Sequence, residues 1–277
     1  MPPTGIAAGV FSALSFGAGD FAGAFAARRA GALVVVAGAH SVGLAALLIG
    51  ALIVRPPLPE PGAILIGLAA GIAGVVGLAA LYRGMSLGSM GIVTSLSGAG
   101  SLAIPLLAGT LLGVRITPIQ LLGVLCAAGA AAAASGASRD EVGRRALLLA
   151  AAAAIGFGAW YVLVDLAARG GDPLWALVFS RAASSAIATA IAASRFERSR
   201  FPGRIVIAAG LFDVGGNALY VVARDEMPVG LAAALTGLYP IVTMICARYL
   251  LGERLPRLGQ IGVGLALAGI VLISVGG

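Results

Sequence analysis

The stretch that decides the fold is Ala234–Pro256, ALTGLYPIVTMICARYLLGERLP, an apolar run that closes on a charged Gly-Glu-Arg. A degraded copy stands 139 positions earlier at Ser95–Thr117, SLSGAGSLAIPLLAGTLLGVRIT. The copies share leucines, glycines and an arginine in register: Leu96, Gly98, Leu111, Leu112, Gly113 and Arg115 match Leu235, Gly237, Leu250, Leu251, Gly252 and Arg254. The chain therefore contains an internal duplication.

Further matches extend the duplication over four apolar runs. At offsets of 139 or 141 positions, the pairs are Gly71 with Gly210, Gly77 with Gly216, Phe16–Ala18 with Phe157–Ala159, and His40 with Arg181. Any one pair is weak in a sequence so rich in alanine, glycine and leucine. Together they predict two structural repeats, residues 1–138 and 139–277.

Composition indicates that lipid surrounds the chain. Of its 277 residues, 60% are hydrophobic and only 10% are charged, whereas a soluble domain carries about 25% charged residues. About 20 apolar residues cross a bilayer as a helix. Ten runs of suitable length occur: 4–27, 31–54, 62–82, 89–113, 117–136, 145–168, 173–194, 203–223, 228–251 and 256–275. We predict an all-α integral membrane protein, in the plasma (inner) membrane of a bacterium.

The predicted topology follows from the odd number of helices in each repeat. Five crossings bring the second copy into the membrane from the opposite side, which makes an inverted pair like those of many secondary transporters. The net charge of +7 comes from arginine without lysine. Because the arginines fall mostly in short gaps between apolar runs, they anchor helix ends, and we expect no nucleic-acid partner.

In these features the chain resembles the EamA-like family of the drug/metabolite transporter superfamily. The most specific element is Gly252–Arg254 after the helix that contains Pro240. That family commonly has an arginine in the second helix of each repeat, kept here at Arg181 and replaced by His40, and often a glutamate where Val114 stands. The resemblance implies an exporter of small metabolites, amino acids above all, without a cofactor. Phosphorylated metabolites, which other superfamily members exchange, are the alternative.

Charged groups inside the spans are the first candidates for function, because each costs roughly 2.5–3.5 kcal/mol at mid-span. Arg181 would bind an anion or carboxylate in a cavity, or it would form a structural ion pair with Asp213 or Asp165. Asp213, Asn217 and Tyr220 share one helix face. This face either lines the cavity or bonds to a neighbouring helix.

Three titratable residues are candidates for proton coupling. Asp213 and Asp20 qualify because a carboxyl group removed from water holds a proton more readily. An arginine beside Asp213 would keep that acid ionised. His40 would sense protons, or it is only hydrogen-bonded to a neighbour.

The predicted substrate-binding set adds aromatic and hydroxyl groups to these charges. It comprises Tyr82, Ser97, Trp160, Tyr161, Arg181, Asn217, Thr236 and Tyr239. For each aromatic, ordinary packing is the alternative. Polar stripes at equivalent places in the fourth and ninth spans favour a cavity at the repeat interface. A structural or sensory membrane protein would not need such matched stripes.

Prolines at Pro105 and Pro240 are predicted hinges, because each frees a carbonyl four residues earlier, at Ser101 and Thr236. The single histidine has no other ligand residue at a metal-binding spacing, so we predict no metal site. The sequence contains no nucleophile–base cluster, so we predict no catalytic residue. The expected partners are a small-molecule substrate, membrane lipid and a coupling proton. We expect the protein to be a monomer or a homodimer.

Overall fold

A computed structural model describes residues 3–111, 115–137, 141–193, 201–227, 232 and 235–276, except the side chains of 104, 105, 108–111, 131, 134–137, 141, 142 and 224. Within these residues the chain is helical. The helices are α1 Pro3–Ala30, α2 Ala32–Val54, α3 Pro61–Leu87, α4 Met90–Leu111, α5 Pro118–Ala137, α6 Glu141–Ala168, α7 Pro173–Ala192, α8 Gly203–Glu226, α9 Tyr239–Leu251 and α10 Arg257–Val275.

The helices match the apolar runs of the sequence. Seven of them (α1, α2, α3, α6, α7, α8 and α10) are long and apolar enough to cross a membrane, and three shorter apolar helices occur in α4, α5 and before and within α9. Large apolar side chains such as Ile53, Leu148 and Tyr249 are exposed on the outside of the bundle. That is the surface expected of a protein surrounded by lipid.

The ninth run differs from its prediction. Of the predicted span 228–251, residues 228–231, 233 and 234 lie outside the described residues. In the part that is described, a helical turn at 235–237 precedes α9, and Pro240 lies in the first turn of α9. Proline is tolerated there because the first N–H groups of a helix have no intrahelical acceptor. Pro240 is thus at a helix start rather than at a kink within a helix. Pro105 falls within α4, but its side chain is outside the described residues.

Helix contacts repeat between the two halves of the chain. α1 packs on α8, and the equivalent helices of the other halves, α6 and α3, pack on each other in the same way. The contacts α2–α8 and α1–α9 likewise correspond to α7–α3 and α6–α4. Exchanging the two halves leaves the contacts α5–α10 and α2–α7 unchanged, because each joins equivalent helices. The helices therefore pack with an approximate two-fold relation between α1–α5 and α6–α10.

Close contacts at aligned glycines follow the same relation. A Cβ on Gly210 would lie 2.5 Å from the carbonyl oxygen of Ala39 on α2, and one on Gly71 would overlap the carbonyl oxygen of Ser180 on α7. Ala39 and Ser180 are 141 positions apart, and the glycines 139 apart. The sequence alignment of the two copies is therefore also a structural alignment.

The largest core cluster fills one end of the bundle, where α1, α3 and α7 end and α2, α4, α6 and α8 begin. We call this the packed end. Its largest fully buried side chains are Tyr82, Leu81, Met85, Met90, Val35, Val36, Val93 and Val206. Because protein interiors are close-packed, this cluster closes the bundle at that end.

Glu253 ties the second repeat to the first at the packed end. Its carboxylate accepts hydrogen bonds from the Ser89 hydroxyl, from the Met90 N–H at 3.1 Å and from the Gly91 N–H at 3.4 Å. It thereby caps the start of α4, where N–H groups lack acceptors. The preceding Gly252 has a φ of +68°, which lets the chain turn sharply after α9.

Candidate functional site

A cavity of about 220 Å³ lies between helices of both halves. Residues of α1, α2, α3, α4, α6, α7, α8, α9 and α10 line it, together with the turn at 235–237. Its polar lining residues are Asp20, His40, Ser101, Trp160, Tyr161, Arg181, Asp213, Asn217, Tyr220, Thr236 and Tyr239. Most of the predicted binding and proton-coupling residues are thus brought together in one place.

Equivalent residues of the two copies both contribute to the lining of this cavity. The pairs are Phe16 with Phe157, Asp20 with Tyr161, His40 with Arg181, Gly74 with Asp213, Leu78 with Asn217, and Gly98 with Gly237. The cavity therefore lies at the interface of the repeats. Its chemistry is asymmetric, because glycine and leucine of the first copy stand where the second copy has an acid and an amide.

Arg181 is the centre of a buried polar cluster. Its Nη2 forms an ion pair with Asp213, and its Nη1 lies 2.8 Å from Nε2 of His40. The other acid considered from the sequence, Asp165, instead pairs with Arg169 at 2.7 Å on the surface. Both terminal nitrogens of Arg181 are therefore engaged by the protein.

The contact with Arg181 fixes the protonation of His40. A guanidinium group only donates hydrogen bonds, so Nε2 of His40 accepts and Nδ1 carries the proton. Among the described residues, Nδ1 has no hydrogen-bond partner. A second arginine at this equivalent position would place two cations in contact, whereas neutral imidazole supplies an acceptor.

Asp20 differs from Asp213 in having no counter-charge among the described residues. It lines the cavity one helical turn after Phe16, and within the described part of the chain it makes no hydrogen bond or ion pair. Since Asp213 is paired with Arg181, the two candidate proton carriers are in different electrostatic environments.

Aromatic rings form much of the remaining wall. Phe16 and Tyr239 meet edge to face with centroids 6.4 Å apart, and Trp160 and Tyr161 do so at 5.2 Å. The Trp160 indole N–H donates to the Ser180 hydroxyl at 2.9 Å. This bond fixes the ring against the position of Gly74, where a Cβ would come within 3.0 Å of the indole.

Two predicted binding residues lie outside the lining. Tyr82 is 2% exposed within the core cluster of the packed end, where its ring fills the space left by Gly23 on α1. Ser97 is fully buried in α4, and the lining residue of that polar stripe is Ser101, one turn later. Helix periodicity shows which residues share a face, but it does not show which neighbour covers that face.

Three aromatic lining residues stand outside the predicted substrate-binding set: Phe16, Phe157 and Tyr220. The signal for the phenylalanines was present in the Phe-Gly-Ala match between the copies. Each phenyl ring packs against an aligned glycine of the other copy, Phe157 on Gly77 and Phe16 on Gly216. Tyr220 belongs to the α8 stripe that the sequence identified.

Comparison with known proteins agrees with this architecture. The model of the EamA-like transporter family matches the chain twice, over residues 3–136 and 144–275. One solved protein crystal structure shares the fold, with a TM-score of 0.57 at 19% sequence identity over 95% of this chain and 94% of its own. Among curated protein sequences, none matches significantly. With both halves matched, the chain belongs to the EamA-like transporter family of the drug/metabolite transporter superfamily, and it is an integral membrane transporter of small molecules.

Proposed function

We propose that the protein exports small metabolites, amino acids above all, by alternating access around the cavity between its repeats. The observation that carries this proposal is the cavity itself. It is enclosed by equivalent residues of both copies, and it contains carboxylates, a guanidinium group and aromatic rings. We place this activity in the plasma membrane.

The internal symmetry supplies a physical route for the transport step. If all ten helices cross the membrane, residues 1–138 and 139–277 are two five-helix units of opposite orientation. Two such units can exchange conformations and so open the cavity to one side and then to the other. The present structure is closed at the packed end, by the core cluster and by the Glu253 cap of α4.

The charges of the cavity support an amino acid better than a phosphorylated anion. Among the described lining residues, Arg181 is the one cationic side chain, against the acids Asp20 and Asp213. It is also held by Asp213 and His40. A phosphorylated substrate would require clustered, available cations. An amino acid brings its own ammonium group, which suits an unpaired carboxylate.

We assign proton coupling to Asp20 before Asp213. Arg181 stabilises the ionised form of Asp213, so protonating that acid would break a buried ion pair. Asp20 has no such partner among the described residues. Protonating His40 would place two cations side by side and end its acceptance of the Arg181 bond.

Purified protein in proteoliposomes tests the proposal. We expect efflux of one or more amino acids from a radiolabelled panel, with a rate that changes when a proton gradient is imposed. Asp20→Asn should reduce efflux to the level of empty vesicles and so remove the effect of the gradient, whereas Asp165→Asn, a surface control, should change neither. Absence of amino-acid flux, with or without the gradient, would refute the proposal. Exchange of a preloaded sugar phosphate in the same vesicles would favour the anion alternative.

A further inference from the structure

The charge arrangement in the cavity leaves one ionic position open for a ligand. Arg181 and Asp213 neutralise each other, and His40 occupies the second terminal nitrogen of Arg181. An anionic ligand could bind Arg181 end-on only by displacing Asp213 or His40. Among the charged lining residues that the structure describes, Asp20 alone has no counter-charge.

An unpaired carboxylate in a largely apolar cavity is costly unless a cation or a proton joins it. The protein supplies no such cation to Asp20 within the described residues. A ligand cation would gain the full charge-assisted interaction, because it would displace none of the protein groups that the structure describes.

The surroundings of Asp20 favour an organic cation over a hydrated metal ion. Phe16 precedes it by one turn on α1 and meets the ring of Tyr239. Trp160 and Tyr161 form a second aromatic pair in the same lining. Aromatic faces attract cations within about 6 Å of the ring centroid, and they cover the apolar body of an amine. A hydrated metal ion would lose its water without gaining a set of oxygen ligands.

We infer that the cavity recognises a primary amine with an apolar body, that Asp20 holds its ammonium group, and that a carboxylate on the substrate is not required. This inference rests on the proposed transport function and narrows it. The protein should then accept apolar monoamines as well as amino acids, and it should reject the corresponding carboxylic acids.

Three matched probes separate these classes: leucine, 3-methylbutylamine, which lacks the carboxylate, and 4-methylpentanoate, which lacks the amine. We would measure their binding to the purified full-length protein by isothermal titration calorimetry and by the shift in melting temperature. The amine and leucine should bind within tenfold of each other, and the carboxylic acid should bind at least tenfold more weakly than the amine.

Substitutions assign this preference to Asp20. Asp20→Asn should weaken amine binding at least tenfold, Asp20→Glu should retain part of it, and the surface control Asp165→Asn should leave it unchanged. Should Asp20→Asn fail to fold, the comparison of the three probes on the wild-type protein still decides. The inference is overturned if 4-methylpentanoate binds as well as the amine, if none of the probes binds, or if a folded Asp20→Asn variant binds the amine normally.

Transport of the same probes distinguishes failure of this inference from failure of the proposed function. Amine binding without flux of any amino acid would contradict the proposed transport but leave the amine site standing. Amino-acid flux that 3-methylbutylamine does not inhibit would contradict the amine site and leave transport standing.

Discussion

Replacing Asp213 with asparagine should destabilise the protein by about 3 kcal/mol, because the change leaves the buried Arg181 without its counter-charge. Breaking one side of a buried ion pair costs about 3–5 kcal/mol. The Arg181 side chain is 9% exposed, but that of Asp213 is 23% exposed, so we expect the lower limit of that range. His40 remains as a neutral acceptor for Nη1 and does not replace the lost charge.

A double-mutant cycle isolates the interaction between the two side chains. Arg181→Gln alone leaves Asp213 without its cation, whereas Arg181→Gln/Asp213→Asn leaves two neutral groups that can bond to each other. The double variant should therefore lose less stability than the two single variants added together, by about 2 kcal/mol. The free energy of unfolding in mixed micelles, followed by tryptophan fluorescence, is measured for the wild type, the two single variants and the double variant.

The surface pair Arg169–Asp165 provides the control cycle within the same chain. Its side chains are 72% and 65% exposed, and exposed pairs of this i,i+4 kind contribute about 0.3–0.5 kcal/mol. The ion pair assigned to the cavity would be refuted if Asp213→Asn cost no more than Asp165→Asn, or if the Arg181–Asp213 cycle were additive.

Two further predictions concern the fold. Gly71→Ala and Gly210→Ala should each destabilise by about 1–3 kcal/mol, because each new Cβ would meet a carbonyl oxygen of the facing helix. Gly264→Ala, where none of the described residues outside the local helix backbone comes within 4 Å of the new Cβ, should be neutral or stabilising. Unfolding midpoints check this, and a large effect at only one of the first two sites would contradict the equivalence of the repeats. Glu253→Ala should destabilise by about 1–2 kcal/mol through loss of a helix cap and should speed amide hydrogen exchange in the first turn of α4. Unchanged exchange at Met90 would contradict the capping role.

The internal duplication explains why the sequence predicted many of the residues that line the cavity. The offsets of 139 and 141 that align Gly71 with Gly210 and His40 with Arg181 also describe which residues face each other in the bundle. The apolar runs predicted the helices for the same elementary reason, since a bilayer-crossing helix must be apolar along its length.

The remaining features depend on packing between helices, which spacing along one helix does not encode. Arg181 could have paired with Asp165 or Asp213, and only the approach of α7 to the other helices selects Asp213. Tyr82 is the same kind of case, because it fills space beside Gly23 on another helix. The helix start before Pro240 depends on a turn at 235–237, which the apolar pattern of the run does not mark.

Counterflow in proteoliposomes tests the central claim most directly. Vesicles that contain the wild-type protein are preloaded with a mixture of unlabelled amino acids, and entry of the radiolabelled mixture is followed. We expect transient accumulation above the level of empty vesicles for the wild type and for Asp165→Asn, and accumulation near that background for Asp20→Asn. Wild-type vesicles that accumulate no more label than empty ones, or an Asp20→Asn variant that accumulates as much as the wild type, would contradict it.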